Sequence, residues 1–302
     1  MRYIVTGGAG FIGSNIVNLL IKNGHEIVII DNLNTGDLKR LKELKEKFEF
    51  HRVDIRDKEK LEKIIKNIDG IFHQAALTIV PESFIKKEEY FDVNVCGTKN
   101  LFEIANKMQV KIVFASSSSV YGDVKNVPIK EDFALNPINP YGETKVEKEK
   151  LATQFSQNGL SVIGLRYFNV FGKGQTGTYA GVITQFMRQL SDGKSPKIFG
   201  DGSQIRDFIF VKDVAEANLK AMENDCKIGF FNIGTGIGIS ILQLANMMIK
   251  IYERKVFPKF ENLPPGDIKK SQADTTLAKE LIGWVPEITL EEGLRKIFPK
   301  IN

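Results

Sequence analysis

Seven residues, Gly7-Gly8-Ala9-Gly10-Phe11-Ile12-Gly13, constrain this chain's architecture more than any other stretch. They follow the short β-branched run Arg2–Thr6 and lead into apolar positions at helical spacing over Phe11–Lys22. The stretch therefore reads as the turn between a buried strand and a helix. Glycines at 7, 10 and 13 let the backbone approach a bound group, and the N–H groups and dipole of the helix opening there favour a pyrophosphate. A glycine pattern alone is weak; its place after the first strand and before a helix gives it meaning. The second apolar run, Glu26–Asp31, ends in an acid 18 residues past Gly13. A carboxylate there can take a ribose 2′-hydroxyl and would repel a 2′-phosphate, which favours NAD over NADP.

The alternation started by that turn continues. The patterns predict a charged helix over Asp37–Lys47, a strand over Phe48–Val53 ending near Asp54-Ile55, and a helix over Lys58–Lys66. A short strand over Gly70–His73, a long helical region over Ile85–Met108 and strands over Lys111–Ser116 and Ser161–Tyr167 follow. Regular alternation of this kind predicts an α/β fold with a Rossmann-type doubly wound parallel sheet. Past Tyr167 it weakens, and the later segments read as a smaller mixed α/β lobe closing over the strand ends. The expected division is 1–168 plus about 205–235 for the first lobe, and 169–204 plus about 236–302 for the second.

Composition narrows the function classes. The chain has 302 residues, 42% of them hydrophobic, enough for one large domain with a lobe. The net charge of +5 is spread without a long basic run, which suits an anionic small molecule and gives no argument for nucleic acid. Cys96 and Cys226 lie far apart and in no metal-ligand spacing, so a reducing, cytoplasmic setting without disulfides or a metal is expected. Tyr3 to Ile21 is uncharged, but its glycines and polar residues make it a poor span, so no membrane association is expected.

The chemistry points to Asn139-Pro140-Tyr141-Gly142-Glu143-Thr144-Lys145. Asn139 suits an N-cap and Pro140 the first helical position. Tyr141 and Lys145 then share one helix face. A free phenol, with a pKa of about 10, is a poor base at neutral pH. An ammonium one turn away is expected to pull it down and make it a proton acceptor for a sugar or alcohol hydroxyl. The strand Lys111–Ser116 empties into Ser116-Ser117-Ser118-Ser119, at the strand ends where open α/β sheets place ligands. Four serines in a row leave open which one points inward. His73, at a strand end, is assigned a structural role.

With these residues in place the chain resembles the extended short-chain dehydrogenase/reductase family, and within it the nucleotide-sugar 4-epimerases. The resemblance runs over essentially the whole chain. Its markers are Thr6 through Ser14, Asp31-Asn32-Leu33, Asp54-Ile55, His73-Gln74-Ala75-Ala76, Asn94 through Thr98, and Ser117 through Gly122. Tyr141 with Lys145, Arg166 through Gly172, Arg206-Asp207-Phe208 and Asn232 through Gly236 complete the set. The resemblance implies that Tyr141 is the catalytic acid/base, that Lys145 holds the nicotinamide ribose and lowers the Tyr141 pKa, and that Ser117 is the catalytic hydroxyl with Ser118 as a second contact. It implies a NAD site lined by Gly7, Gly10, Phe11, Ile12, Gly13, Asp31, Asn32, Asp54, Ile55, Ala75, Ala76 and Asn94. For the substrate, a UDP-hexose, it implies Asn169 and Arg206 at the diphosphate, Val182 beside the base and Gln272 near the sugar. A homodimer through the helices around Glu88–Met108 and Tyr141–Phe155 is implied as well.

Two departures bear on specificity. Family members usually carry an arginine shortly before the Pro-Gly-Asp that here reads Pro265-Gly266-Asp267, and none is present. Members restricted to plain hexoses carry a bulky aromatic just before the Ala-Asp seen at Ala273-Asp274, where this chain has Ser271-Gln272. The pocket is therefore expected to have room for an N-acetyl group. Among alternatives, a 4,6-dehydratase would place an Asp-Glu pair directly after the catalytic hydroxyl residue; Ser118-Ser119 stand there. A UDP-glucuronate decarboxylase would need a pocket for that acid, and a non-catalytic NAD-binding regulator would commonly have lost the tyrosine or lysine.

Overall fold

The computed structural model describes residues 1–44, 47–175, 181–262 and 268–298. The first half runs β1 (Arg2–Thr6), α1 (Phe11–Lys22), β2 (Glu26–Ile30), a 3₁₀ segment (Leu38–Leu44), β3 (Glu49–His51), α2 (Lys58–Ile64) and β4 (Gly70–His73). Then come α3 (Val80–Ile85), α4 (Lys87–Phe91), a π turn (Asp92–Cys96), α5 (Gly97–Met108), β5 (Lys111–Ser117), α6 (Pro140–Gln157) and β6 (Val162–Tyr167). The second half adds β7 (Asn169–Phe171), α7 (Val182–Ser191), β8 (Lys197–Phe199), β9 (Ile205–Phe210), α8 (Val211–Glu223) and β10 (Ile228–Ile233). It ends with β11 (Gly238–Ser240), α9 (Ile241–Ile251), β12 (Lys259–Glu261), β13 (Lys270–Ser271), α10 (Thr276–Ile282) and α11 (Leu290–Ile297).

The main sheet has seven parallel strands in the order β10-β6-β5-β4-β1-β2-β3. This is the doubly wound arrangement, with its reversal beside β1, where such sheets bind dinucleotides. Both faces are covered, so the strands read as continuous apolar runs. Ile4, Val28, Ile71 and Ile112 pack on Leu61, Phe102 and Ala152 of α2, α5 and α6. Tyr3, Val5, Ile29 and Phe72 point to the other face, against Ile16, Leu20, Ala217 and Ala221 of α1 and α8.

A second sheet is built on β9, which pairs with β11 on one side and with β13 and then β7 on the other. Thus Ile205–Phe210, expected with the first lobe, belongs to the second sheet. Asp207 ties the lobes: its buried carboxylate accepts from Thr235 N and Oγ1, Gly236 N and Ala273 N at 2.6–3.1 Å. Burial raises its pKa, and these hydrogen bonds oppose that rise.

Two segments differ from the sequence reading. The charged stretch expected as a helix over Asp37–Lys47 is a 3₁₀ segment over Leu38–Leu44, too poor in apolar spacing to hold an α-helix against the core. The region Ile85–Met108 is broken at Lys86 (φ −117°, ψ 47°) and widened by the π turn. The Pro265-Gly266-Asp267 stretch lies outside the described residues. Among the described residues no helix is long and apolar enough to cross a membrane.

Candidate active site

The glycine turn builds one wall of a cleft of about 450 Å³. Gly7 has φ +68°, and a Cβ there would lie 2.7 Å from Ala75 N; a Cβ on Gly13 would lie 2.1 Å from Gly7 O. Only glycine lets the turn fold onto the β4 exit and the helix start this closely. Gly7, Gly10, Asp31, Asn32, Asp54, Ile55, Ala75 and Ala76, eight of the residues predicted for the cofactor, line this cleft. Asp31 is buried and accepts from Ala9 N at 3.0 Å and Leu33 N at 2.8 Å, one bond per oxygen. Each oxygen keeps lone-pair capacity for a ribose diol. Asn32 donates to Asp54, and Arg56 grips the same carboxylate, holding Asp54 down at about 2.

Four residues predicted to line the NAD site, Phe11, Ile12, Gly13 and Asn94, are not among those lining that cleft. Phe11, Ile12 and Gly13 open α1, whose N-cap Gly10 carries no side-chain cap, so their contribution is backbone N–H at the helix start. The carboxamide of buried Asn94 is spent on protein. It accepts from Leu77 N at 2.8 Å and donates to Leu77 O and Thr144 Oγ1, both at 3.0 Å. Thr144 Oγ1 donates in turn to Tyr141 O at 2.7 Å. Asn94 therefore holds α6 against the β4 exit, whereas the sequence reading placed it at the cofactor. The fit to a dinucleotide is good: a bare glycine turn, a free helix N-terminus and a carboxylate with spare acceptors.

Asn139 caps α6 as predicted, accepting from Gly142 N at 2.8 Å, with Pro140 at the first position. This sets Tyr141 and Lys145 one turn apart beside the β5 exit. Lys145 is buried; its Nζ donates to Ala115 O at 3.0 Å and lies 5.3 Å from the Tyr141 ring centre. The expected effect on the phenol is overturned here. Burial pushes Tyr141 up to about 12, and the Ser117 hydroxyl is the group that pulls it down. Lys145 itself is lowered to about 8 by burial, while Glu149 raises it. Desolvation of the phenolate outweighs the Ser117 hydrogen bond, so these two effects together leave the phenol above its ordinary value.

Ser117 accepts from Ser119 N at 3.2 Å and its hydroxyl hydrogen-bonds Tyr141, while Ser118 opens a short 3₁₀ turn. His73 is structural, as predicted. It is clamped by Thr6 Oγ1 and Thr98 Oγ1, both at 2.8 Å, and burial and the two nearby lysines keep it neutral. Sequence reasoning missed Lys148. It is fully buried, with Nζ 3.4 Å from both Ala115 O and His73 Nε2, so it shares its carbonyl with Lys145. Burial first, then Lys145, drive its pKa well down. A lysine three positions after Lys145 in a charged helix carried no signal of burial.

Of the other predicted substrate residues, Asn169 and Arg206 lie on the second sheet, Gln272 follows β13 and Val182 opens α7. Asn169 Nδ2 donates to Asp207 O at 3.1 Å, tying β7 to β9. Arg206 on β9 donates to Ile205 O at 2.9 Å and is in register with Ser271 on β13. Gln272 Nε2 donates to Gly236 O at 2.8 Å. Val182 begins α7 and packs on the second lobe's core.

Residues 3–234 match the model of the NAD dependent epimerase/dehydratase family. The chain belongs to this family. A UDP-glucose 4-epimerase of Bacillus subtilis is 37% identical over 97% of this chain and 94% of that protein. Among solved structures, a UDP-glucose 4-epimerase of Thermotoga maritima with UDP-glucose has a TM-score of 0.94 at 38% identity, covering 98% of this chain and 97% of that one. A UDP-N-acetylglucosamine 4-epimerase of Methanobrevibacter ruminantium in complex with UDP-N-acetylmuramic acid gives the same TM-score and identity, covering 98% and 96%. The coverage of 96–98% on both sides includes the second lobe.

Proposed function

We propose that this chain is an isomerase that inverts C4 of a UDP-activated hexose, with NAD as the resident cofactor. The observation that carries the reading is the grouping of Tyr141, Lys145 and Ser117 at the β5 exit, on the sheet whose reversal forms the dinucleotide cleft. When bound, NAD supplies a carbon that takes a hydride from C4 and returns it. Tyr141 Oη accepts the C4 hydroxyl proton and later gives it back, Ser117 orients that hydroxyl, and Lys145 places positive charge beside the phenolate. Burial holds Tyr141 near 12 in the protein alone, so a positive charge bound beside it, such as that of NAD, would favour the phenolate. Inversion would require the 4-keto sugar to turn within the pocket between the two proton transfers at Tyr141 Oη. No acid stands at Ser118-Ser119 to eliminate water, which argues against a dehydratase.

Asn169 and Arg206 are proposed at the diphosphate, Val182 beside the base and Gln272 near the sugar. The small side chain of Ser271, directly before Gln272, leaves space for an N-acetyl group; Ser271→Tyr is expected to abolish turnover of the acetylated sugar and spare the plain hexose. A homodimer is part of the same reading. Phe91 is 48% exposed in a groove between α4 and α6, and light scattering of the purified chain checks it. The primary test is incubation with a panel of nucleotide sugars, resolving products at C4 and measuring NAD released on denaturation. Tight NAD with epimers of UDP-glucose or UDP-N-acetylglucosamine is expected; no C4 epimer from any member overturns the reading.

A further inference from the structure

One guanidinium joins the cofactor turn to the second lobe. Arg40, on the 3₁₀ segment after the Asp31 loop, donates from Nη1 to Ala9 O at 3.1 Å, and to Thr35 O at 3.5 Å. Its Nε donates to Gly174 O at 3.1 Å. Ala9 is the centre of the glycine turn, and its N–H is held by Asp31 Oδ2 at 3.0 Å. Thr35 lines the cofactor cleft with Asp31. Beyond Gly174 the links continue. The Gln175 side chain donates to Val170 O at 3.2 Å and accepts from Thr184 Oγ1 at 3.0 Å. Thr184 is buried in the first turn of α7, two residues past Val182. Hydrogen bonds thus run from the ribose acid through Ala9 and Arg40 to Gly174, and from its chain neighbour Gln175 to the helix proposed to flank the base. The guanidinium suits this role because its donors are fixed in a plane, so two carbonyls gripped at once are held at a fixed separation.

We propose that Arg40 is a positioning residue that couples cofactor binding to nucleotide binding. NAD, by drawing Asp31 and the glycine turn into one arrangement, sets the carbonyl that Arg40 grips, and Arg40 then sets Gly174 and Gln175 beyond β7. The proposal rests on the assignment of α7 to the nucleotide. Contiguity alone does not establish coupling; coupling is a difference in affinity that must be measured.

The test uses the full chain, stripped of NAD and reloaded, with UDP as the probe. Calorimetry gives the UDP Kd with and without NAD for the wild type and for Arg40→Met, which keeps the aliphatic stem and loses the donors. NAD is expected to tighten UDP binding by about 5- to 10-fold in the wild type, the lower range for coupled sites. In Arg40→Met the tightening falls to within about twofold of none, while the UDP Kd of the NAD-free protein is unchanged. Equal tightening in both proteins, or none in the wild type, overturns the proposal. A second readout does not need UDP: NAD is expected to slow amide exchange over residues 170–175 in the wild type and not in the variant. Should UDP fail to bind, the nucleotide reading falls and this exchange arm still decides the coupling, with no slowing in the wild type counting against it. If Arg40→Met does not fold, Thr184→Val cuts the far link instead. It is expected to lose the tightening with NAD affinity intact, and retained tightening refutes the proposal.

Discussion

Ser117→Ala is the perturbation whose effect follows most directly from the site. Burial holds the Tyr141 phenol at about 12, and Ser117 is the neighbour that favours the phenolate. At pH 8 a phenol of that pKa is ionised in only about one molecule in 10⁴. A hydrogen bond to a charged oxygen is worth about 1.5–3 kcal/mol, or roughly 1–2 pKa units. Removing it raises the Tyr141 pKa by that amount. The base works when deprotonated, so the rise moves the acid limb of the kcat profile to higher pH. Below the limb, kcat falls by about 10- to 150-fold, and the two profiles converge as pH rises. The oxidised cofactor lowers both absolute values and leaves their difference. The assay is steady-state epimerisation of UDP-galactose from pH 5 to 10, coupled to oxidation of the UDP-glucose formed. A uniform loss of kcat at every pH, with no movement of the limb, would refute the reasoning.

The remaining predictions concern the buried lysine and the cofactor acid. Lys148 has a folded-state pKa well below its unfolded value of about 10.4, so the unfolded chain binds more protons and stability rises with pH through that window. Lys148→Met is therefore expected to raise Tm at pH 7, with a gain that shrinks as pH approaches 10; a lower Tm at pH 7 would contradict this. Asp31→Asn removes a charged acceptor from the cleft and is expected to weaken NAD by about 10- to 100-fold and to reduce the preference over NADP. Titration of stripped protein with each dinucleotide checks it, and unchanged selectivity would move the preference to another residue.

The parts legible in sequence are those set by local pattern. Apolar runs placed β1, α1 and β4 to the residue, and the glycine spacing together with Asp31 located the cleft, because turn chemistry and periodicity are short-range. The misreadings came from tertiary packing. Helix α6 shows little amphipathic pattern, yet Lys145, Lys148 and Glu149 are all buried in it. Their partners, Ala115 O and the Arg166 fork on Glu149, come from β5 and β6 and are invisible at helical spacing. Asn94 looked like a cofactor ligand, but the π turn and the β4 exit consume its carboxamide. The sign of the Tyr141 shift was misjudged for the same reason. Spacing shows that an ammonium lies one turn away and says nothing about how much water the phenol loses. Arg40 sits in a charged segment, and its partners Ala9 O and Gly174 O come from distant parts of the sequence that only the fold brings to it.

The central claim is that the Tyr141 oxygen carries the C4 proton, and Tyr141→Phe tests it by removing that oxygen alone. The measurement is the single-turnover rate of UDP-sugar epimerisation with NAD content and UDP affinity determined on the same preparation. The account predicts a rate lowered by about 10²–10⁴-fold, with NAD still bound and the UDP Kd within a few-fold of wild type. Epimerisation within about threefold of the wild-type rate would contradict it, because losing a proton-transfer group costs far more than that.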